Sequence, residues 1–170
     1  KVMSTVPLVM KLEEKKRLSI NSYVTEYFPS FKGKNKEKVK VLHLLTHTSG
    51  ISSYVEYFNN KNIFNEKDII DDILNRDLLF EPAFGYKYSD LGFILLKNII
   101  EKANRTDFEK LASNWIYRPL NMKNTYFNPD ANKIMDIAPT EYDSVYRNKL
   151  IKGVVHDENT YMIGGVSGHA

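Results

Sequence analysis

The apolar residues of this chain recur at three- and four-residue intervals through most of its length, and that spacing confines it to a mainly helical fold. A side chain returns to the same face of a helix after three or four residues, whereas a strand alternates every second one. Val2, Val6, Val9 and Leu12 keep the helical interval and should present one stripe to a core, as should Ile69, Ile70, Ile73 and Leu74. The most apolar run is Leu91 to Lys102.

Local signals divide the pattern. Pro7 removes an N–H from the first helix and is tolerable only in its first turn or as a kink, so a helix starting before Lys1 should bend there. Val39 to His47 reads as a short amphipathic helix, with Gly50 as a left-handed stop beyond it. Asn65 is expected to cap Glu66 to Arg76, and Ser89 or Asp90 to cap Leu91 to Lys102 after a turn at Pro82 and Gly85. Thr106 opens a further helix through Phe108, Leu111, Trp115 and Ile116, closed by Pro119. After Asn121 the periodicity fades into turns, clearest at Asn128-Pro129-Asp130. The expected organisation is a helical portion over residues 1–125 and a loop-rich connection over 126–170.

Composition limits the partners. With 42% hydrophobic and 26% charged residues in 170, the chain matches ordinary globular usage for one domain. The net charge is +3, and the one basic crowd, Lys32 to Lys40, runs straight into an apolar helix. A nucleic-acid groove needs a concentrated basic face, so this run is read as a solvated loop, with no nucleic-acid partner. No window approaches the roughly 20 apolar residues of a membrane span, and the given residues include no charged-then-apolar signal segment. Zero cysteines exclude disulfides and thiolate metal sites.

Four stretches, in order, carry a resemblance. Lys1-Val2 with Val6 to Leu12 and then Arg17-Leu18-Ser19-Ile20 comes first; Val41-Leu42-His43-Leu44-Leu45-Thr46-His47-Thr48-Ser49-Gly50 is second. Tyr86-Lys87-Tyr88-Ser89-Asp90 leads into Leu91-Gly92-Phe93, and Gly153 to Asn159 is followed by Gly164-Gly165-Val166-Ser167-Gly168-His169-Ala170. Together they resemble the β-lactamase-related serine hydrolases, which include class C β-lactamases, DD-peptidases, penicillin-binding proteins and esterases. The resemblance implies that Lys1 is the lysine of an S-x-x-K helix motif, with the nucleophilic serine three residues upstream and outside this sequence. It further implies that Tyr88 belongs to the second catalytic motif, and that a K-T-G or H-x-G strand follows Ala170. The expected fold is therefore a mainly α fragment of an α+β β-lactamase/transpeptidase-like fold, its flanking sheet segments largely missing and its apolar faces lacking a partner. Catalytically dead by itself, it would also lack the strand's share of the oxyanion hole, where one donor contributes about 2.7–4 kcal/mol.

The implied chemistry is acyl transfer to serine from an ester, a D-alanyl amide or a β-lactam, the acyl-enzyme then released by water. Serine and lysine three apart share a helix face, and an amine whose pKa is lowered by burial and nearby positive charge could take the hydroxyl proton. Tyr88, placed before a helix start, would sit near N–H groups and the positive dipole end, and could relay protons with Lys1. Asp90 departs from the asparagine of the best-known members. An ionised aspartate only accepts hydrogen bonds, so it should hold the Lys1 ammonium more firmly, which favours ester or peptide chemistry over β-lactam hydrolysis. Ser89 and Asp90 complete the supporting set.

No metal or other cofactor is implied. His43 and His47 stand four apart, yet Leu44 occupies the place where a zinc-protease helix carries glutamate, so both are read as bonded to loop backbone. His156, Asp157 and Glu158 are read as a structural loop near the cleft. The substrate would be a small molecule or a peptidoglycan-derived one, and the place of action the cell envelope or outside a bacterial cell. Two alternatives remain: an inactive family member that binds cell-wall peptides or a partner protein, and an unrelated helical interaction domain.

Overall fold

A computed structural model describes residues 1–63 and 65–164; the Gly165 to Ala170 part of the last motif, including His169, lies outside the described residues. The centre is the long helix Asp90–Asn104, and four other helices pack against it. Helix α1 spans Thr5–Glu14, α2 Val41–Leu45, α3 Glu66–Asn75 and α4 Asp90–Asn104. Helix α5, Phe108–Ala112, runs on into a π-helical turn at Ser113–Tyr117. Short helices α6, Ala131–Ile134, and α7, Glu158–Ile163, flank a two-stranded antiparallel hairpin of β1, Tyr142–Asp143, and β2, Lys149–Leu150.

Helix α4 is buried on every side, through Leu91, Phe93, Ile94, Leu95, Leu96, Ile99 and Ile100, as befits a helix touched by α1, α2, α3 and α5. Its start is fixed by Ser89, whose Oγ accepts from the Gly92 N–H at 3.0 Å and donates to the Ser52 carbonyl at 2.8 Å. The Asp90 N–H donates to the Ser53 carbonyl at 2.9 Å. With Ser89 as the cap, the Asp90 side chain is left for another partner. Arg105, in left-handed conformation, closes the helix.

In α3 the Asn65 side chain accepts from the Asp68 N–H while the Asp68 carboxylate accepts from the Asn65 N–H, and Ile69, Ile70, Ile73 and Leu74 are buried as the spacing requires. In α1 the stripe differs from expectation: Thr5, Leu8, Val9 and Leu12 are buried and Val2 is 78% exposed. The reason is that regular helix begins only at Thr5. Pro7 therefore falls in the first turn, where its missing N–H removes no intrahelical bond. Residues before Thr5 form turns, with the Lys1 carbonyl accepting from the Val6 N–H. Helix α2 is stopped by His47 at φ 58°, not by Gly50. Gly50 is indeed left-handed, at φ 81°, but it serves a close approach: a Cβ there would lie 2.3 Å from the Phe80 carbonyl oxygen.

Beyond residue 126 polar ties add to isolated apolar contacts such as the buried Ile151. The Asp143 carboxylate accepts from the Val145, Tyr146 and Arg147 N–H groups and from Arg147 Nε, and the Arg147 guanidinium donates to the Val155 and His156 carbonyls. Asn159 in α7 accepts from the Tyr57 N–H and donates to the Val55 carbonyl. No described helix is long and apolar enough to cross a membrane.

Candidate active site

Lys1, Tyr88 and Asp90 come together, although 87 and 89 residues separate the lysine from its two partners. The turn at Lys1–Ser4 delivers the lysine, the extended segment before Ser89 delivers Tyr88, and the first residue of α4 is Asp90. Lys1 Nζ donates to Tyr88 Oη at 2.5 Å and to Asp90 Oδ1. The ammonium also lies over two aromatic faces, 4.7 Å from the Tyr88 ring centre and 5.5 Å from that of Phe93. The Lys1 and Asp90 side chains are largely shielded, whereas Tyr88 is 47% exposed. The cluster thus sits at the edge of the core with its tyrosine turned to solvent.

The electrostatics correct one expectation. Burial is the largest single influence on Lys1 and works to lower its pKa, but hydrogen bonds and charge from Asp90 and Tyr88 together outweigh it and leave the amine above its ordinary value. Lys1 is therefore held as an ammonium, not poised as a free amine, with Asp90 the first of the two groups that raise it. An ammonium donating to Tyr88 Oη also fixes that oxygen as an acceptor, so the phenol's own proton is available to another group.

Ser89 lies beneath this cluster, buried and occupied with capping. His43 and His47 each accept a backbone N–H through Nδ1, from Lys40 and Ser89 respectively, both at 3.1 Å. His156 Nε2 is 2.6 Å from Glu141 Oε1, and Asp157 caps α7 by accepting from the Thr160 N–H. Among the described residues, no three histidine or carboxylate side chains are arranged to hold a metal ion.

Spacing alone missed His47. Its ring centre stands 4.5 Å from that of Tyr88 and 5.2 Å from that of Phe93, and its carbonyl accepts from the Lys87 N–H at 2.9 Å. The only sequence signal was its place in the His47-Thr48-Ser49-Gly50 stretch, which carries no physical meaning until the loop is folded against residues 87–89.

The sequence pattern of the Beta-lactamase family matches residues 1–170, the whole chain. The chain belongs to the beta-lactamase family. Among curated relatives, provisionally named D-alanyl-D-alanine carboxypeptidases of Salmonella paratyphi B and Salmonella typhi are 30% identical over 195 aligned residues, covering all of this chain and 45% of theirs. The chain therefore spans a little under half the length of those relatives. Solved structures of similar fold include a class C beta-lactamase, with TM-score 0.71, 21% identity and coverage of 88% of this chain and 39% of that one. FmtA from Staphylococcus aureus matches with TM-score 0.69 at 23% identity, over 88% of this chain and 41% of its own. A beta-lactamase-family fold thus accounts for the mainly helical architecture and the small hairpin of the described residues.

Proposed function

We propose that this chain forms the helical side of a serine acyl hydrolase site that acts through an acyl-serine intermediate. The observation that carries the reading is the convergence of Lys1, Tyr88 and Asp90 on one ammonium; family membership supports it. The nucleophile is the serine that the family pattern puts three residues before Lys1. Its oxygen bonds to the acyl carbon, its proton passes to the Lys1–Tyr88 pair, and the pair returns a proton to the leaving group as the scissile bond breaks. Water then repeats the sequence in place of the serine. Because the resting pair holds Lys1 charged, it must first lose one proton, so the rate should rise with pH.

We take an ester or a D-alanyl amide rather than a β-lactam as substrate: Asp90 stands where the best-known β-lactam-hydrolysing members carry a donor-capable asparagine, and the curated relatives are provisionally named D-alanyl-D-alanine carboxypeptidases. A peptidoglycan-derived peptide fits this chemistry, as does action in the cell envelope or outside the cell. A second reading, a non-catalytic protein that binds cell-wall peptides, is favoured by the same charged Lys1. The test is to treat the full-length protein with a fluorophosphonate, measure intact mass, and map the modified peptide. A single adduct on a serine three residues before Lys1 supports the hydrolase; no adduct, with measurable affinity for a D-alanyl-D-alanine peptide, supports the binding protein.

A further inference from the structure

His47 holds the segment around Tyr88 from both sides. Its carbonyl accepts from the Lys87 N–H at 2.9 Å and its Nδ1 accepts from the Ser89 N–H at 3.1 Å, so the residues on either side of Tyr88 are tied to this one histidine. Between these ties its ring lies 4.5 Å from the Tyr88 ring, inclined by 39°, and 5.2 Å from Phe93, over which Lys1 Nζ also rests. The Ser89 bond is possible only when Nδ1 carries no proton. A neutral ring is thus a condition of the observed geometry.

We propose that His47 is a positioning residue for the proton-transfer pair: its neutral ring holds Tyr88 Oη against Lys1 Nζ, and protonation of the ring releases it. The charged groups facing His47 are Lys1, from the turn before α1, and Asp90, from the start of α4; Tyr86 and Tyr88 flank it from the connecting segment. Burial first, then the Lys1 charge, hold its pKa below the ordinary histidine value, with Asp90 opposing them. Protonation would set an N–H against the Ser89 N–H and add a second positive charge near Lys1. The first effect pushes the residue 87–89 segment away, and the second drives Lys1 Nζ from Tyr88.

The consequence for rate rests on the acyl-hydrolase reading, but the coupling between the two rings does not. The full-length protein, labelled with 15N-histidine and 13Cζ-tyrosine, would be titrated by NMR, with Tyr88→Phe used to assign Tyr88 and His47→Asn to assign the histidine. Fluorophosphonate labelling rates would be followed across the same pH range. The Tyr88 signal should move with the His47 midpoint, and the labelling rate should fall below that midpoint more steeply than loss of one proton accounts for. His47→Asn keeps an acceptor for the Ser89 N–H and tolerates the left-handed backbone, so it should label within about threefold of wild type, with the extra steepness gone. His47→Ala should be slower by about tenfold or more, the scale expected when a proton-transfer group is misplaced.

A Tyr88 signal that ignores the His47 titration, or an asparagine variant that retains the extra steepness, overturns the proposal. A protein that never labels yet shows the two signals moving together overturns the hydrolase reading and leaves the positioning role standing.

Discussion

Two aspartates of this chain each hold a cation, and they hold it to different ends. Asp143 accepts three backbone N–H groups as well as Arg147 Nε, and Arg147 spends its remaining nitrogens on the Val155 and His156 carbonyls; both side chains are 4% exposed. Asp90 and Lys1 are more open, at 19% and 13%, and the third member of their cluster is a half-exposed tyrosine. A saturated pair can only hold a fold. A pair with an exposed, proton-bearing neighbour can exchange protons with something that arrives.

The largest effect that would break this contrast is on activity. Lys1→Ala in the full-length protein should slow fluorophosphonate labelling by about 10²–10⁴-fold, the usual contribution of a positioned acid–base group, with little change in melting temperature. Arg147→Ala should do the reverse: several degrees lost in a thermal melt, because a buried carboxylate loses its cation, and an unchanged labelling rate in the molecules that remain folded. If the two variants showed the same pattern, the distinction between the pairs would collapse.

Two pH dependences sharpen it. The Asp143 carboxyl is held well below the ordinary carboxylate range, first by the Tyr146 N–H and then by the Arg147 side chain. A depressed folded value contributes stability above the unfolded value of about 4. That contribution is lost as pH falls from there through the folded value, and urea melts of Asp143→Asn should show a weaker acid dependence than wild type. At the other pair, Lys1 is raised, and Asp90 is a principal reason. Asp90→Asn removes that carboxylate, so the alkaline midpoint of labelling should move to lower pH. A midpoint that stayed in place would remove Asp90 from the proton-transfer unit.

The smallest effect concerns both stability and site. Ser89→Ala removes the cap of α4 and should cost about 1 kcal/mol in a denaturant melt, with a modest rate loss from a less firmly placed Asp90.

What the sequence disclosed follows from how local each feature is. The α3 cap and its four buried residues were legible, because Asn65, Asp68 and the isoleucines act within one helix. The choice of Tyr88 over Tyr86 rested on the family pattern alone, and the structure brings Tyr88 Oη to Lys1 Nζ. The start of α1 was misjudged, since Val2 keeps the helical interval without being in the helix. For Lys1 the sequence suggested two opposed influences, burial lowering the amine and Asp90 holding the ammonium, and it could not weigh them; in the fold Asp90 and Tyr88 together outweigh burial. The His47 clamp and the Asp143–Arg147 knot were illegible for a common reason. Each depends on backbone groups, of Lys87 and Ser89 in one case and of Val155 and His156 in the other, which carry no signature in residue identity.

The comparison of most direct consequence is the labelling rate of Tyr88→Phe against Tyr86→Phe in the full-length protein. Both are exposed tyrosines two residues apart, and only Tyr88 meets the Lys1 ammonium. Loss of labelling in the first by about 10²-fold or more, with the second unchanged, is the expected result. Equal rates would contradict the assignment of proton transfer to the Lys1–Tyr88 pair.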